Sequence, residues 1–179
     1  LIFVCAMVIG AVAVTAFAAE QTETVEISKK NIEFGDKLRL QFALKAPENV
    51  DVSAVCNGED VEIEYVENIE LDGVEYRVYK TVEGWSAQNI NAVVTVTAKA
   101  GESVDVMSYS VLAYLYERLH LDDPATVTDV QRNAYEALLA YAKAADALIN
   151  TQDGRTPNDL DSYHYVSVEG ATLDGYNTW

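Results

Sequence analysis

Apolar residues tend to alternate with polar ones over residues 25–107, then recur at helical spacing over residues 108–150. The first period is that of a half-buried strand and the second that of an amphipathic helix. A chain divided this way is expected to fold as a β unit followed by helices. The clearest strand covers residues 37–44, with Leu38, Leu40, Phe42 and Leu44 on one face. Looser alternation marks residues 25–27 and 50–56, and Val61, Ile63 and Tyr65 form a further face. Residues 67–71, 74–79, 92–98 and 103–107 continue the pattern. Phe34-Gly35-Asp36, Asn57-Gly58, Asp72-Gly73 and Ala100-Gly101-Glu102 punctuate it. The Asp72-Gly73 pair between alternating runs is a hairpin signal, because a tight I′ turn needs positive φ at both central residues.

This gives about seven short strands at sandwich spacing. The expected fold is mainly β (α+β): an Ig-like β-sandwich followed by a two-helix hairpin. The first helix is read over residues 108–121, with Val111, Leu112, Leu115, Tyr116 and Leu119 on its apolar side. Asp122-Asp123-Pro124 ends it. Thr126 or Thr128 caps a second helix, with Asp129 in its first turn beside the positive end of the dipole. That helix runs to about Asn150, roughly 35 Å at 1.5 Å per residue. Val130, Ala134, Leu138, Tyr141, Ala145 and Leu148 line one side, and its alanines allow close approach to a neighbour.

The ends of the chain read differently. Residues 1–19 carry no charge and finish in Ala16-Phe17-Ala18, the small-residue pattern of a signal-peptidase site. Residues 1–18 are therefore read as a signal peptide without its basic start, cleaved before Ala19. A membrane anchor competes, since a span needs roughly 20 apolar residues; the A-x-A end favours cleavage, with no stable membrane insertion afterwards. Residues 19–107 are the β unit and 108–150 the helical hairpin, packed on it or extending from it. Residues 151–162, polar and rich in breakers, read as a linker. Residues 163–179 return to β texture and read as the first strands of a truncated following module.

Composition narrows the partners. The chain holds 29 acidic and 12 basic residues, a net charge of -17. That excludes nucleic acid, whose phosphates need Lys and Arg, and disfavours anionic membrane surfaces. Only Cys56 remains after the export segment, so no internal disulfide forms, and it reads as a buried apolar thiol. The expected location is extracellular, secreted or associated with the cell wall.

The run Tyr109-Ser110-Val111-Leu112-Ala113-Tyr114-Leu115-Tyr116 and the later Tyr135-Glu136-Ala137-Leu138-Leu139-Ala140-Tyr141-Ala142-Lys143-Ala144-Ala145 form a recognisable pair. Together with ISKKNIEFGDKL and LDGVEY they resemble a β-rich plus helical-hairpin module of large secreted multi-module proteins from Gram-positive gut anaerobes. The tail YVSVEGATLDG is similar to the start of β-repeat modules that follow it there. The resemblance covers most of the chain beyond residue 19. It implies a surface or secreted accessory module and carries over no catalytic residue.

Glu62, Glu64, Glu67, Glu70 and Glu75 alternate with apolar residues, as on the solvent face of a sheet, and do not define a glycosidase pair. The calcium-loop motif fails at Asp153-Gly154, because Ile149 and Thr151 stand at its first and third positions. Asp153 with Asn158, Asp159 and Asp161, or Asp122-Asp123, remain weak calcium candidates in an irregular loop. His120, His164 and Cys56 are too few and too scattered for a zinc site. Ser86 and Ser110 lack a nucleophile signature. Trp85, in Glu83-Gly84-Trp85-Ser86, is either a sugar-stacking platform or a plug at the sandwich end. Tyr109, Tyr114, Tyr116, Tyr135 and Tyr141 are expected in the helices as core. The functional expectation is a non-catalytic structural or interaction module of an exported, cell-surface protein. Its alternatives are a carbohydrate-binding module using Trp85, and an accessory domain of a larger secreted hydrolase. The partner expected is a protein or a cell-surface glycan, with no cofactor.

Overall fold

The computed structural model describes residues 24–121, 126–158 and 160. Residues 1–23 (the expected signal peptide among them), Asp122, Asp123, Asp159, Asp161, His164 and the tail 163–179 lie outside the described residues.

Eight strands form two four-stranded antiparallel sheets, an α+β sandwich architecture. The first sheet has the order β1 (Glu26–Phe34), β2 (Leu38–Lys45), β6 (Val74–Thr81), β5 (Ile63–Leu71). The second has the order β4 (Glu59–Val61), β3 (Asp51–Cys56), β7 (Val94–Ala100), β8 (Ser103–Tyr109). Leu38, Leu40, Phe42 and Leu44 all point into the core, as their alternation requires. They meet Val94, Val96, Ala98 and Ala100 of β7 in one apolar cluster. A smaller cluster of Ala43, Tyr76 and Val78 lies on the other face of the first sheet. Edge strand β5 carries exposed Glu64, Glu67 and Glu70, with a register shift between Tyr65 and Glu67.

Two hairpin turns follow from local chemistry. Asp72 and Gly73 have φ 53° and 76°, and Asn57 and Gly58 have φ 53° and 84°. Both pairs supply the two positive φ values of a I′ turn. The first joins β5 to β6, as expected. The second, read only as a strand end, joins β3 to β4.

Two boundaries move. β1 runs on from residue 27 to Phe34, and the sequence pattern hides this because Lys30 occupies an inward position, opposite Phe42. β8 runs to Tyr109, so Tyr109 belongs to a strand and not to a helix. Helix α1 (Val111–Tyr116) starts after Ser110, whose Oγ accepts from the Ala113 N–H at 3.0 Å. It widens into a π-helical turn at Glu117–Leu121. Helix α2 (Asp129–Gln152) is capped by Thr128 in a complete capping box with Gln131.

α2 is rotated from the expected orientation. Tyr135, Ala142 and Asp146 are buried, with Leu138 and Leu139 half-buried beside them. Val130, Tyr141 and Leu148 face outward. Both sides of α2 carry apolar residues at helical spacing, and the fold takes the one bearing the larger aromatic–leucine cluster. No helix among the described residues is long and apolar enough to cross a membrane.

Candidate functional site

Two polar constructions involve the helices: one ties the first helical segment to the sandwich, and the other folds the returning segment onto α2. The first is a buried ion pair. The Lys30 ammonium of β1 lies 2.8 Å from Glu117 Oε1, at the start of the π-helical turn. Tyr109 Oη of β8 donates to Glu117 Oε2 at 2.6 Å. The ammonium also sits 4.1 Å from the Tyr109 ring centroid, a cation–π geometry. One carboxylate thus ties both sheets to the first helix. Beside it, Tyr114 Oη donates to Asn31 Oδ1 at 3.2 Å and stands 3.3 Å from Tyr135 Oη. The Tyr135 ring stacks on Phe34 at 6.2 Å. A line of side chains therefore runs from β1 through α1 to α2.

The second construction surrounds a polar cavity of about 340 Å³ between residues 86–91 and the C-terminal end of α2. The chain enters it from β6 through Gly84 and Trp85. Trp85 N–H donates to the Leu38 carbonyl at 2.8 Å, and Leu38 N–H donates back at 3.0 Å. Gly84 permits this approach: a Cβ there would come within 2.7 Å of Lys37 Cβ and 2.9 Å of the Leu38 oxygen. A short 3-10 turn follows at Ala87–Asn89. Ile90 anchors it in the core, and its carbonyl accepts from Leu112 N–H at 2.8 Å. This fastening holds Gln88, Asn89 and Asn91 at the surface.

The opposite wall comes from α2. Asp146 is buried and accepts three hydrogen bonds: Asn150 Nδ2 at 2.8 Å, Asn158 N at 2.7 Å and Asn158 Nδ2 at 2.5 Å. The described part of the segment read as a linker is folded back along α2 by these bonds. Gly154, with φ 69°, makes the reversal. Gln88, Asn89, Asn91, Asn150 and Asn158 all line the cavity, and each amide offers donors and an acceptor in one plane. Ser86, Asp146, Ile149 and Arg155 complete the lining, and the Asn150 and Asn158 amides each donate to Asp146.

The residues singled out from sequence fall in several places. Trp85 is 7% exposed and packs in the core, so its ring presents no open platform. The plug reading describes its position; its backbone bonds to Leu38 draw the ring inward. Asp153 is exposed and ion-paired with Arg155. Asp159 and Asp161 lie outside the described residues. Among those described, no group of three His, Cys, Asp or Glu side chains is placed to hold a metal ion. Glu62, Glu64, Glu67, Glu70 and Glu75 are all exposed. Ser110 is a buried cap, and Ser86 donates to Asn89 Oδ1 at 3.1 Å beside the cavity. His120 lies against Tyr116, ring centroids 4.8 Å apart. Cys56 is half-buried, and burial pushes its thiol pKa up.

Sequence reading missed the amide lining because its members are far apart in the chain and each looks like an ordinary turn or helix-end residue. The density of Asn and Gln over residues 88–91 was the available signal. No protein-family model matches this chain, and no curated protein is similar enough to it to count as a match.

Proposed function

We propose that this chain is a non-catalytic structural or interaction module of an exported, cell-surface protein built from several modules. The observation that carries this reading is the commitment of its buried ionic groups to joining its parts. Lys30 and Glu117 hold the first helical segment on the sandwich, and Asp146 holds the returning segment on α2. A rigid body of this kind suits display, spacing and contact. The strand order also supports an Ig-like reading. The sequence β1-β2-β6-β5 facing β4-β3-β7-β8 has the A-B-E-D and C-F-G arrangement of immunoglobulin-type sandwiches, with one added strand next to C. The uncharged residues 1–19 and the resemblance to secreted modules support export.

Thermal unfolding of the full chain, followed by near-ultraviolet and helical circular dichroism, tests the rigid body. One shared transition is expected; a helical signal that melts first would sink it. Protease added to intact producing cells tests location. Release of fragments from residues 24–160 is expected, and full protection would count against export.

The amide-lined cavity favours a second reading, a carbohydrate-binding module whose contact is the cavity and not the Trp85 ring. A glycan array bound by the full chain, and lost in Asn89→Ala with Asn91→Ala, is the expected result. An empty array with a folded protein removes this reading.

A further inference from the structure

The outward side of α2 carries Val130, Ala134, Ala137, Tyr141, Ala144 and Leu148, all exposed. Val130, Tyr141 and Leu148 have 79%, 66% and 60% of their surface open, among the most exposed large apolar residues described. The spacing alternates four and three residues, the seam of a coiled coil. No charged residue interrupts this stripe, although 23% of the chain is charged and its net charge is -17.

The order of sizes along the stripe identifies an occupant. Place a second α2 antiparallel to the first, with a two-fold axis at the level of Leu139. Val130 then faces Leu148 of the other copy, Ala134 faces Ala144, and Ala137 faces Tyr141. Large residues oppose large ones at both ends. In the middle each tyrosine ring lies over an alanine. Self-complementarity of this kind is what a two-fold symmetric interface requires. Alanines at the remaining layer let the helix axes come to the short end of the usual 8–10 Å separation. An acidic protein also repels its own copies over most of its surface, and this uncharged stripe is a face where two copies meet without that penalty.

We infer that two copies of this chain associate through the outward faces of α2, antiparallel, in the register that pairs Ala134 with Ala144. This rests on the reading of the chain as an interaction module and names its partner. The contact of a single helix pair falls at the low end of interface sizes, below about 1,200 Å², so the dimer is reversible.

Sedimentation equilibrium of the full chain tests it. The average mass is expected to rise toward twice the monomer value with concentration. Ala134→Glu and Ala144→Lys are both exposed substitutions, and each alone is expected to shift the chain toward monomer. In a homodimer of Ala134→Glu/Ala144→Lys, each new carboxylate faces a new ammonium, so association is expected to return. Its recovery at low salt, weakened by added salt, identifies the antiparallel register. Circular dichroism melting checks that each variant folds. A wild-type chain that stays monomeric overturns the inference. So does a double variant no better than its single parents. A monomer whose melting temperature drops in Ala134→Glu also overturns it, because the face is then covered from within the chain. None of these failures affects the unfolding or protease tests of the module reading.

Discussion

The Lys30 ammonium lies 2.8 Å from the Glu117 carboxylate, with 2% and 7% of the two residues exposed. Removing one partner leaves the other charge buried without it. Lys30→Met or Glu117→Leu alone is expected to cost about 3–5 kcal/mol. The double variant is expected to recover part of that loss, since an apolar pair of similar size needs no desolvation while the Tyr109 hydroxyl still loses its Glu117 acceptor. Denaturant unfolding of the three variants measures the cycle; a double-variant loss equal to the sum of the two single losses would remove the ion pair as the cause.

Asp146 gathers Asn150 and Asn158 through three hydrogen bonds. Asp146→Ala leaves those donors without this acceptor. Hydrogen bonds to a charged group contribute about 1.5–3 kcal/mol, so a loss of that order is expected. Amide hydrogen exchange at Asn158 should accelerate well before global unfolding. Unchanged exchange there would show that the returning segment is held by other contacts, such as buried Leu160.

Thr128 closes the capping box of α2: its N–H donates to Gln131 Oε1 at 3.0 Å, and its Oγ1 accepts from Gln131 N–H at 3.3 Å. Thr128→Ala is expected to cost about 1 kcal/mol, and Thr128→Ser much less. Urea unfolding of both variants reads the difference. A Ser variant as weak as the Ala variant would place the effect in the lost methyl group.

Gly84 has no room for a side chain against Lys37 and Leu38. Gly84→Ala is expected to cost about 1–3 kcal/mol by overpacking. Because Gly84 precedes Trp85, the variant is also expected to shift the near-ultraviolet signal of that ring. An unperturbed signal with full stability would show that the loop yields freely.

Burial raises the Cys56 thiol pKa. Folding therefore favours the neutral thiol. That contribution is complete below the unfolded thiol's pKa and is lost as pH rises through the higher folded value. Alkylation needs the thiolate, so labelling of the Cys56 peptide is expected to be slower than that of a free thiol and to keep accelerating past the ordinary thiol pKa of about 8.5, where a free thiol levels off. Mass spectrometry of digests taken across a pH series follows this one site. Rapid labelling at neutral pH would contradict it.

Much of the sandwich was legible because its residues obey local rules. Leu38 to Leu44 alternate, and Asp72-Gly73 can hardly do anything but turn. Thr128 is a cap by its chemistry. What was hidden depends on distant partners. Lys30 reads as surface until Glu117 is brought to it from 87 residues away. Both sides of α2 carry apolar residues at helical spacing; the side that turns inward is the one whose Tyr135 meets Phe34 and Tyr114 from other elements. Trp85 could not be assigned to plug or platform without the bonds that bind its backbone to Leu38. The cavity amides are gathered from a turn, a helix end and a returning strap, so no window of sequence contains them.

The carboxylates along β5 have a bearing on crowding. A strand adding to that open edge would settle about 4.8 Å away. It would bring its own chain, equally acidic, within a Debye length of Glu64, Glu67 and Glu70. Sheet-to-sheet fusion into fibres is thereby opposed at this edge even where many copies share a small volume. Association is steered away from open-ended backbone pairing and toward side-chain contacts that close on themselves.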